Sequence, residues 1–345
     1  MGRTTALCGL IIACLVLSTS RLAAGSYRVT DLGALNGTAF HATDINNSGM
    51  VAGYLDYNMR RCRLAVWDKG KISNLEAADY DGRVEIAAIN DAGEIVGAQV
   101  APGAITVIGN FTWKNKVFGS LCVGETWTDA NDTPHPGDSG CSDINNKDWI
   151  CGWAERPGGA RAFIWKSGRV TYLPSTTLGY GIALNSHGDV AGHLRVSEDT
   201  QDESACLWRG GRLIRLKGLG GKSSTASGIN DRGQAIGTSE NRKGHNHALL
   251  WQQGRTLDLG TLGGRKSEAK AINNKGSIVG YAEDGKGRSR AVIWTGLRIR
   301  DLNSLLPAGT GWVLKEAVSI NDRGQIIGDG THLRRHRSFL LTPVR

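Results

Sequence analysis

Short apolar runs recur along the chain, and they are continuous where a half-exposed strand would alternate, as in Ala65-Val66-Trp67, Phe163-Ile164-Trp165 and Leu249-Leu250-Trp251. Such runs fit strands buried on both faces. Ahead of each run stands a polar turn introduced by Ile or Leu. The seven copies are Ile45-Asn46-Asn47-Ser48-Gly49, Ile89-Asn90-Asp91-Ala92-Gly93, Ile144-Asn145-Asn146-Lys147-Asp148, Leu184-Asn185-Ser186-His187-Gly188, Ile229-Asn230-Asp231-Arg232-Gly233, Ile272-Asn273-Asn274-Lys275-Gly276 and Ile320-Asn321-Asp322-Arg323-Gly324. Their asparagines are spaced by 44, 55, 40, 45, 43 and 48 residues. A second Gly follows seven residues after every Asn, from Gly53 and Gly97 to Gly328. Trp67, Trp113, Trp165, Trp208, Trp251 and Trp294 follow 20 to 23 residues after it, with Leu341 at that place in the last copy.

Each copy predicts four short strands. The first ends at Ile-Asn, and the Asn-x-x-Gly after it suits a tight turn because Asn, Asp and Gly tolerate positive φ. The second carries the apolar pair before the second Gly, the third ends at the Trp, and the fourth closes on a Leu eight residues later. Four strands per 40 to 55 residues, seven times over, predict an all-β, seven-bladed β-propeller. Residues two and four before each Asn are mostly small, such as Ala42 and Asp44 or Ala226 and Gly228, as strands nearest a crowded axis require. The seventh copy lacks a fourth strand before Arg345. Tyr27 to Leu32 matches the missing piece, so this N-terminal strand is expected to pair into the last blade and close the ring without an open edge.

His247-Ala248-Leu249-Leu250-Trp251 and Asp258-Leu259-Gly260-Thr261-Leu262-Gly263-Gly264, together with the Ile-Asn-x-x-Gly turn, resemble the HAF repeat of bacterial extracellular repeat proteins. Arg161-Ala162-Phe163-Ile164-Trp165 departs from that pattern at the His, and Ser204-Ala205-Cys206-Leu207-Trp208 at the His and the Phe. The resemblance implies an exported β-rich repeat protein and brings no activity or site with it.

Composition fits the repeat. The chain holds 48 Gly but only 7 Pro among 345 residues, which excludes coiled coil, collagen and disordered linker. Residues 1–25, with Arg3, an apolar run from Leu7 to Leu17 and the small exit Leu22-Ala23-Ala24-Gly25, read as a secretory signal peptide, leaving 26–345 as one propeller domain with an insertion at 122–141. The apolar run is too short to span a membrane. Removing Arg3 and Arg21 takes the formal charge from +9 to +7. Cys62, Cys122, Cys141, Cys151 and Cys206 remain. They form no CxxC or Cys/His pattern, so neither a metal site nor a cofactor is expected. Cys122 and Cys141 bracket the insertion and are the expected disulfide, worth roughly 3 kcal/mol for a loop of that length.

Links from strand two to three and from blade to blade hold every long segment, and that face of the disc is the expected ligand side. Four residues before the Trp position stand Arg63, Gly109, Arg161, Ser204, His247, Arg290 and Arg337, a candidate basic ring for carboxylates, sulfates or phosphates. Each of these cations could equally pair with its own blade. Directly after the second Gly come Tyr54, Trp153, His193 and Tyr281 among others, a candidate aromatic and polar rim. The charge lacks the basic stripe with interleaved aromatics that nucleic acid requires. Gly137-Asp138-Ser139-Gly140 matches a serine-protease tetrapeptide without the surrounding pattern, and Gly220-Gly221-Lys222-Ser223 lacks the first Gly of a phosphate loop.

The leading expectation is therefore an exported, monomeric, non-enzymatic binding or interaction protein whose partner is an anionic glycan, a cell-envelope surface or a protein. The alternative is a hydrolase or lyase acting on polysaccharide, with carboxylates or His193 near the axial mouth. Propellers host both, so two or three acids, or a His with an acid, converging within about 10 Å at that mouth with strongly perturbed pKa values is the observation that separates them.

Overall fold

The computed structural model describes residues 26–344 apart from 59–60, 76–82, 101–106, 115–116, 122–126, 129–133, 136–137 and 196–201. Seven four-stranded antiparallel blades form the expected propeller. Blade 5 shows the pattern, with strands Gly220–Ile229, Ala235–Asn241, Asn246–Gln252 and Arg255–Asp258 in sequential order. Blade 7 consists of Trp312–Ile320, Ile326–His332 and Arg335–Pro343, and its fourth strand is Tyr27–Asp31. That strand pairs from Tyr27 opposite Pro343 to Asp31 opposite Phe339. Behind it Leu32, Phe40, Val51 and Leu55 pack with Ile327 and Leu340, so apolar burial joins the first and last blades.

The repeated Asn has a specific task. In blade 6 the Asn273 side-chain oxygen accepts from the Lys275 and Ser277 amides at 3.1 and 3.0 Å, closing the turn, while its Nδ2 donates to the Asn321 carbonyl of the next blade at 3.0 Å. The same donation runs from Asn46 to the Asn90 carbonyl and on through Asn145, Asn185, Asn230, Asn273 and Asn321, which returns to Asn46 at 2.9 Å. The seven bonds form a closed belt around the axis. All seven asparagines are buried, so the belt satisfies polar groups that water does not reach.

The Trp and second Gly also join elements. Trp208, Trp251 and Trp294 donate Nε1–H to the carbonyls of Pro174, Lys217 and Leu259 in the preceding blade, at 2.7–2.9 Å. The second Gly lies against the first strand. A Cβ at Gly280 would stand 2.0 Å from the Glu268 carbonyl oxygen, and one at Gly237 1.9 Å from that of Thr225. Only a residue without a side chain fits there.

The first strand of blade 3 is Ser139–Ile144, so Cys141 belongs to the blade and the insertion is shorter than expected. Cys141 is a buried free thiol, pushed up to about 12 by burial. Its expected disulfide partner Cys122 lies outside the described residues, as does the proposed signal peptide. Cys62, Cys151 and Cys206 are likewise buried free thiols.

Candidate active site at the axial mouth

Every first strand carries a β-bulge. The pairing register shifts between Ala42 and Asp44 in blade 1, and at the equivalent pair in all six other blades. A bulge re-aims side chains, and here it turns residues three and two before the Asn together toward the channel. They line a cavity of about 270 Å³ that includes Thr43, Asp44, Ser142, Asp143, Ser227, Lys270 and Ser319. The residue four before the Asn stays buried between blades, as with Ala42, Ala226, Ala269 and Ala317. Of the positions expected to be mostly small, the one between the blades is Ala in four of the seven copies, while the one in the channel wall is Asp44 and Asp143 in blades 1 and 3. At the opposite end the Ile-Asn turns surround a second cavity of about 200 Å³.

Asp44 and Asp143 occupy equivalent positions in blades 1 and 3. Asp44 accepts from the amides of Ile45 and Ile89, at 2.8 and 3.0 Å, and from the Ser319 hydroxyl at 2.7 Å. Asp143 accepts from the amides of Ile144 and Leu184, both at 2.8 Å. Enclosure by the channel wall raises both carboxyls above the ordinary range. Asp143 reaches about 7, with the negative charge of Asp44 adding to the effect of burial. Asp44 has the extra hydroxyl donor, which favours its ionised form. The two positions are therefore unequal: Asp143 is suited to hold a proton near neutral pH, while Asp44, raised as well, has one more donor favouring its ionised form. Each also ties its bulge to the neighbouring blade through the Ile89 or Leu184 amide, a structural task that accompanies any chemistry.

Above this level, strand pairing sets residues five before the Asn opposite the residue after the second Gly. The pairs are His41 with Tyr54, Glu85 with Ala98, Gly140 with Trp153, Tyr180 with His193, Thr225 with Thr238, Glu268 with Tyr281 and Glu316 with Asp329. The expected rim residues Tyr54, Trp153, His193 and Tyr281 are thus brought to one level of the mouth. Tyr54 stacks on His41 at 5.0 Å, Tyr180 stacks on His193 at 5.1 Å, and Trp153 meets Tyr180 edge-on at 5.7 Å. Burial lowers the His193 pKa, and Glu203 lies 3.5 Å away. Lys270 bridges Glu268 at 2.7 Å and Glu316 at 3.2 Å. Burial pulls its ammonium down, but the two carboxylates outweigh that and hold it above its ordinary value. Burial also raises the Tyr281 phenol, helped by the charge of Glu268.

The five basic positions are mostly engaged one by one. Arg161 donates to the Thr177 carbonyl at 2.8 Å, and His247 meets Asp258 at 2.9 Å. Arg290 lies 3.3 Å from Asp284, whose carboxyl its amide and guanidinium neighbours hold far below the usual range against a burial cost. Arg337 lies 3.8 Å from Asp31 and donates to the His336 carbonyl at 3.1 Å. Arg63 is half-buried on the third strand of blade 1, Arg61–Asp68. Sequence reasoning missed the positions three and five before the Asn, among them His41, Glu268, Lys270 and Glu316. A count of polar residues in the otherwise apolar first strands would have marked them.

No family model matches the chain, and no curated protein matches it in sequence. Among solved structures, it is similar to the β-propeller domain of the Trilobed protease from Pyrococcus furiosus, at 12% identity and a TM-score of 0.55 over 88% of this chain and 95% of that one. The acylaminoacyl peptidase of Pyrococcus horikoshii matches at 12% identity and a TM-score of 0.53, over 88% of this chain and 51% of its own. A puromycin-hydrolyzing peptidase of Mycobacterium tuberculosis matches at 12% identity and a TM-score of 0.50, over 90% and 53%. The chain spans about half the length of these two peptidases. At this identity the likeness establishes the propeller fold.

The expectation of a non-enzymatic binding protein is corrected at this point. The similar propellers belong to a protease and to peptidases, and the channel wall holds two carboxyls raised by burial. Among the described residues no helix is long and apolar enough to cross a membrane.

Proposed function

We propose that the protein is a hydrolase working at its axial mouth, with Asp143 as general acid and Asp44 as general base. The observation that carries this reading is the unequal pair itself: two carboxyls in equivalent places of one channel wall, Asp143 raised to about 7 and Asp44 held by one more donor. In the hydrolytic step Asp44 takes a proton from water as its oxygen bonds to the substrate, and Asp143 gives its proton to the departing group. The next turnover needs the proton returned from Asp44 to Asp143 through solvent. Peptide is the substrate class favoured by the protease and peptidase propellers to which the chain is similar. Export through residues 1–25 would place the reaction outside the cytoplasm, in keeping with the HAF-like repeat.

The test is release of new amino termini from a denatured protein substrate by purified protein between pH 5 and 8. Wild type is expected to cleave it, while Asp143→Asn and Asp44→Asn, each folded with a single cooperative melting transition, lose activity at least about a hundredfold, the usual scale for an acid–base residue. Cleavage unaffected by Asp143→Asn refutes the assignment of the acid. Absence of peptide cleavage together with release of reducing ends from a polysaccharide refutes the substrate class.

A further inference from the structure

We propose that the seam between the first and last blades is a binding site for a divalent transition-metal ion of the zinc type, held by His41, Asp329 and His336. The sequence carries no metal pattern because these residues lie 288 and 295 positions from His41 (329 − 41 and 336 − 41). Ring closure alone brings them together. His41 is on the first strand of blade 1, Thr38–Ile45, whereas Asp329 and His336 are on the second and third strands of blade 7. One ligand atom from each lies within 4.8 Å of the others.

Three features make this more than a chance meeting of polar groups. First, the donor set is two imidazoles and one carboxylate, which suits zinc and its neighbours and leaves coordination positions open for water. Bonds of about 2.0 Å in a tetrahedron place donor atoms about 3.3 Å apart. His336 is exposed and can swing the remaining distance. Second, the carboxylate is already oriented from behind. Asp329 Oδ1 accepts from the hydroxyl of buried Ser338 at 2.7 Å, and that hydroxyl in turn accepts from the Ala42 amide at 3.1 Å, next in chain to His41. This leaves the second carboxylate oxygen for an ion, the kind of outer partner that fixes metal ligands. Third, the His41 ring is held in place by stacking on Tyr54 at 5.0 Å and lies 5.9 Å from the His336 ring.

An ion there would join the two ends of the ring. It would bind the folded propeller and not the unfolded chain, so it must raise the melting temperature. The test of this site does not rest on hydrolysis.

The experiment titrates chelator-treated full-length protein with Zn²⁺ alone, followed by calorimetry and by thermal melting, and then repeats the titration with Co²⁺. One ion per chain, a rise in melting temperature and a Co²⁺ visible spectrum without a thiolate charge-transfer band are expected. His336→Ala, His41→Gln and Asp329→Asn should each weaken binding at least tenfold and abolish the melting shift. His187→Ala, an exposed histidine on blade 4, should leave both unchanged. Zn²⁺ binding that survives His336→Ala and His41→Gln overturns the proposal, as does a thiolate band that moves the ion to a cysteine, or no stoichiometric binding by wild type.

Discussion

Asn273→Ala is expected to cost the protein about 3 kcal/mol. The substitution leaves three backbone groups without their partner: the amides of Lys275 and Ser277, and the Asn321 carbonyl. Loss of a typical intramolecular hydrogen bond costs about 1 kcal/mol, and more where the orphaned group is buried. Lys275 is exposed, so water can recover part of the loss on that side. The buried donation to Asn321 has no such relief. Asn273→Asp separates the two tasks of the side chain, for a carboxylate still accepts both amides but sets an oxygen against the Asn321 carbonyl where an N–H stood. At neutral pH it is expected to cost as much as alanine, and to recover at acid pH, where a protonated carboxyl can donate to that carbonyl. Asn274→Ala is the control. It is exposed; its Nδ2 contacts Asp231 and Asp322 at 3.0 and 3.1 Å and its Oδ1 accepts from the Asp231 amide at 2.9 Å, all where solvent can replace them, so its cost should stay below about 1 kcal/mol. Urea denaturation followed by tryptophan fluorescence reads all three variants. A midpoint for Asn273→Ala no lower than that of Asn274→Ala, or a wild-type midpoint for Asn273→Asp at pH 7, would refute the idea that the belt holds the ring.

Two further outcomes follow from the packing and the charges. Gly280→Ala forces a Cβ to 2.0 Å from the Glu268 carbonyl oxygen, a backbone atom that cannot yield, so soluble yield and melting temperature should collapse; Gly285→Ala, with nothing within 4 Å of its Cβ, should change stability by no more than about 0.5 kcal/mol. Asp143 has a folded pKa of about 7 against an ordinary value of 3.8, so its contribution to stability is complete below about pH 4 and is lost as pH rises through 7. Asp143→Asn should therefore gain on wild type across that window and run parallel to it above, in urea midpoints measured at each pH; a constant difference across the window would show that the carboxyl titrates at its ordinary value.

The fold was legible because its constraints repeat. Asn46 to Asn321 and Gly53 to Gly328 each answer one geometric demand made once per blade, a belt donor and a close approach to the first strand, and Trp208, Trp251 and Trp294 add a bond to the preceding blade. A demand met seven times leaves a period that one sequence displays. The N-terminal strand was legible for the same reason, since the last copy was short of a fourth strand and Tyr27 to Leu32 matched it. The basic positions were also found by period, but period does not say where a guanidinium points. Arg161 turns to the Thr177 carbonyl and Arg290 to Asp284, contacts set by loops that differ between blades.

The acid pair and the seam histidines were hidden because they break the pattern. Alternation along the first strand would put the residues two and four before the Asn on one face. The bulge between them reverses this and sends Asp44 and Asp143 into the channel, while Ala42 remains between blades. A bulge is a backbone irregularity, so nothing in the side chains of the first strand announces it. His41, Asp329 and His336 are stranger still to a linear reading, for each is single in its blade and they meet only where the chain closes on itself. In a repeat fold, departures from the repeat are the residues the scaffold does not require. Asp44 stands where Ala88, Ala183 and Ala271 serve the scaffold in other blades, and His41 where Gly140 and Thr225 do. Since the fold tolerates those smaller residues at the same places, packing alone does not account for the charged ones; inter-blade hydrogen bonds explain part of their presence, and the chemistry proposed for the mouth is the further demand on them.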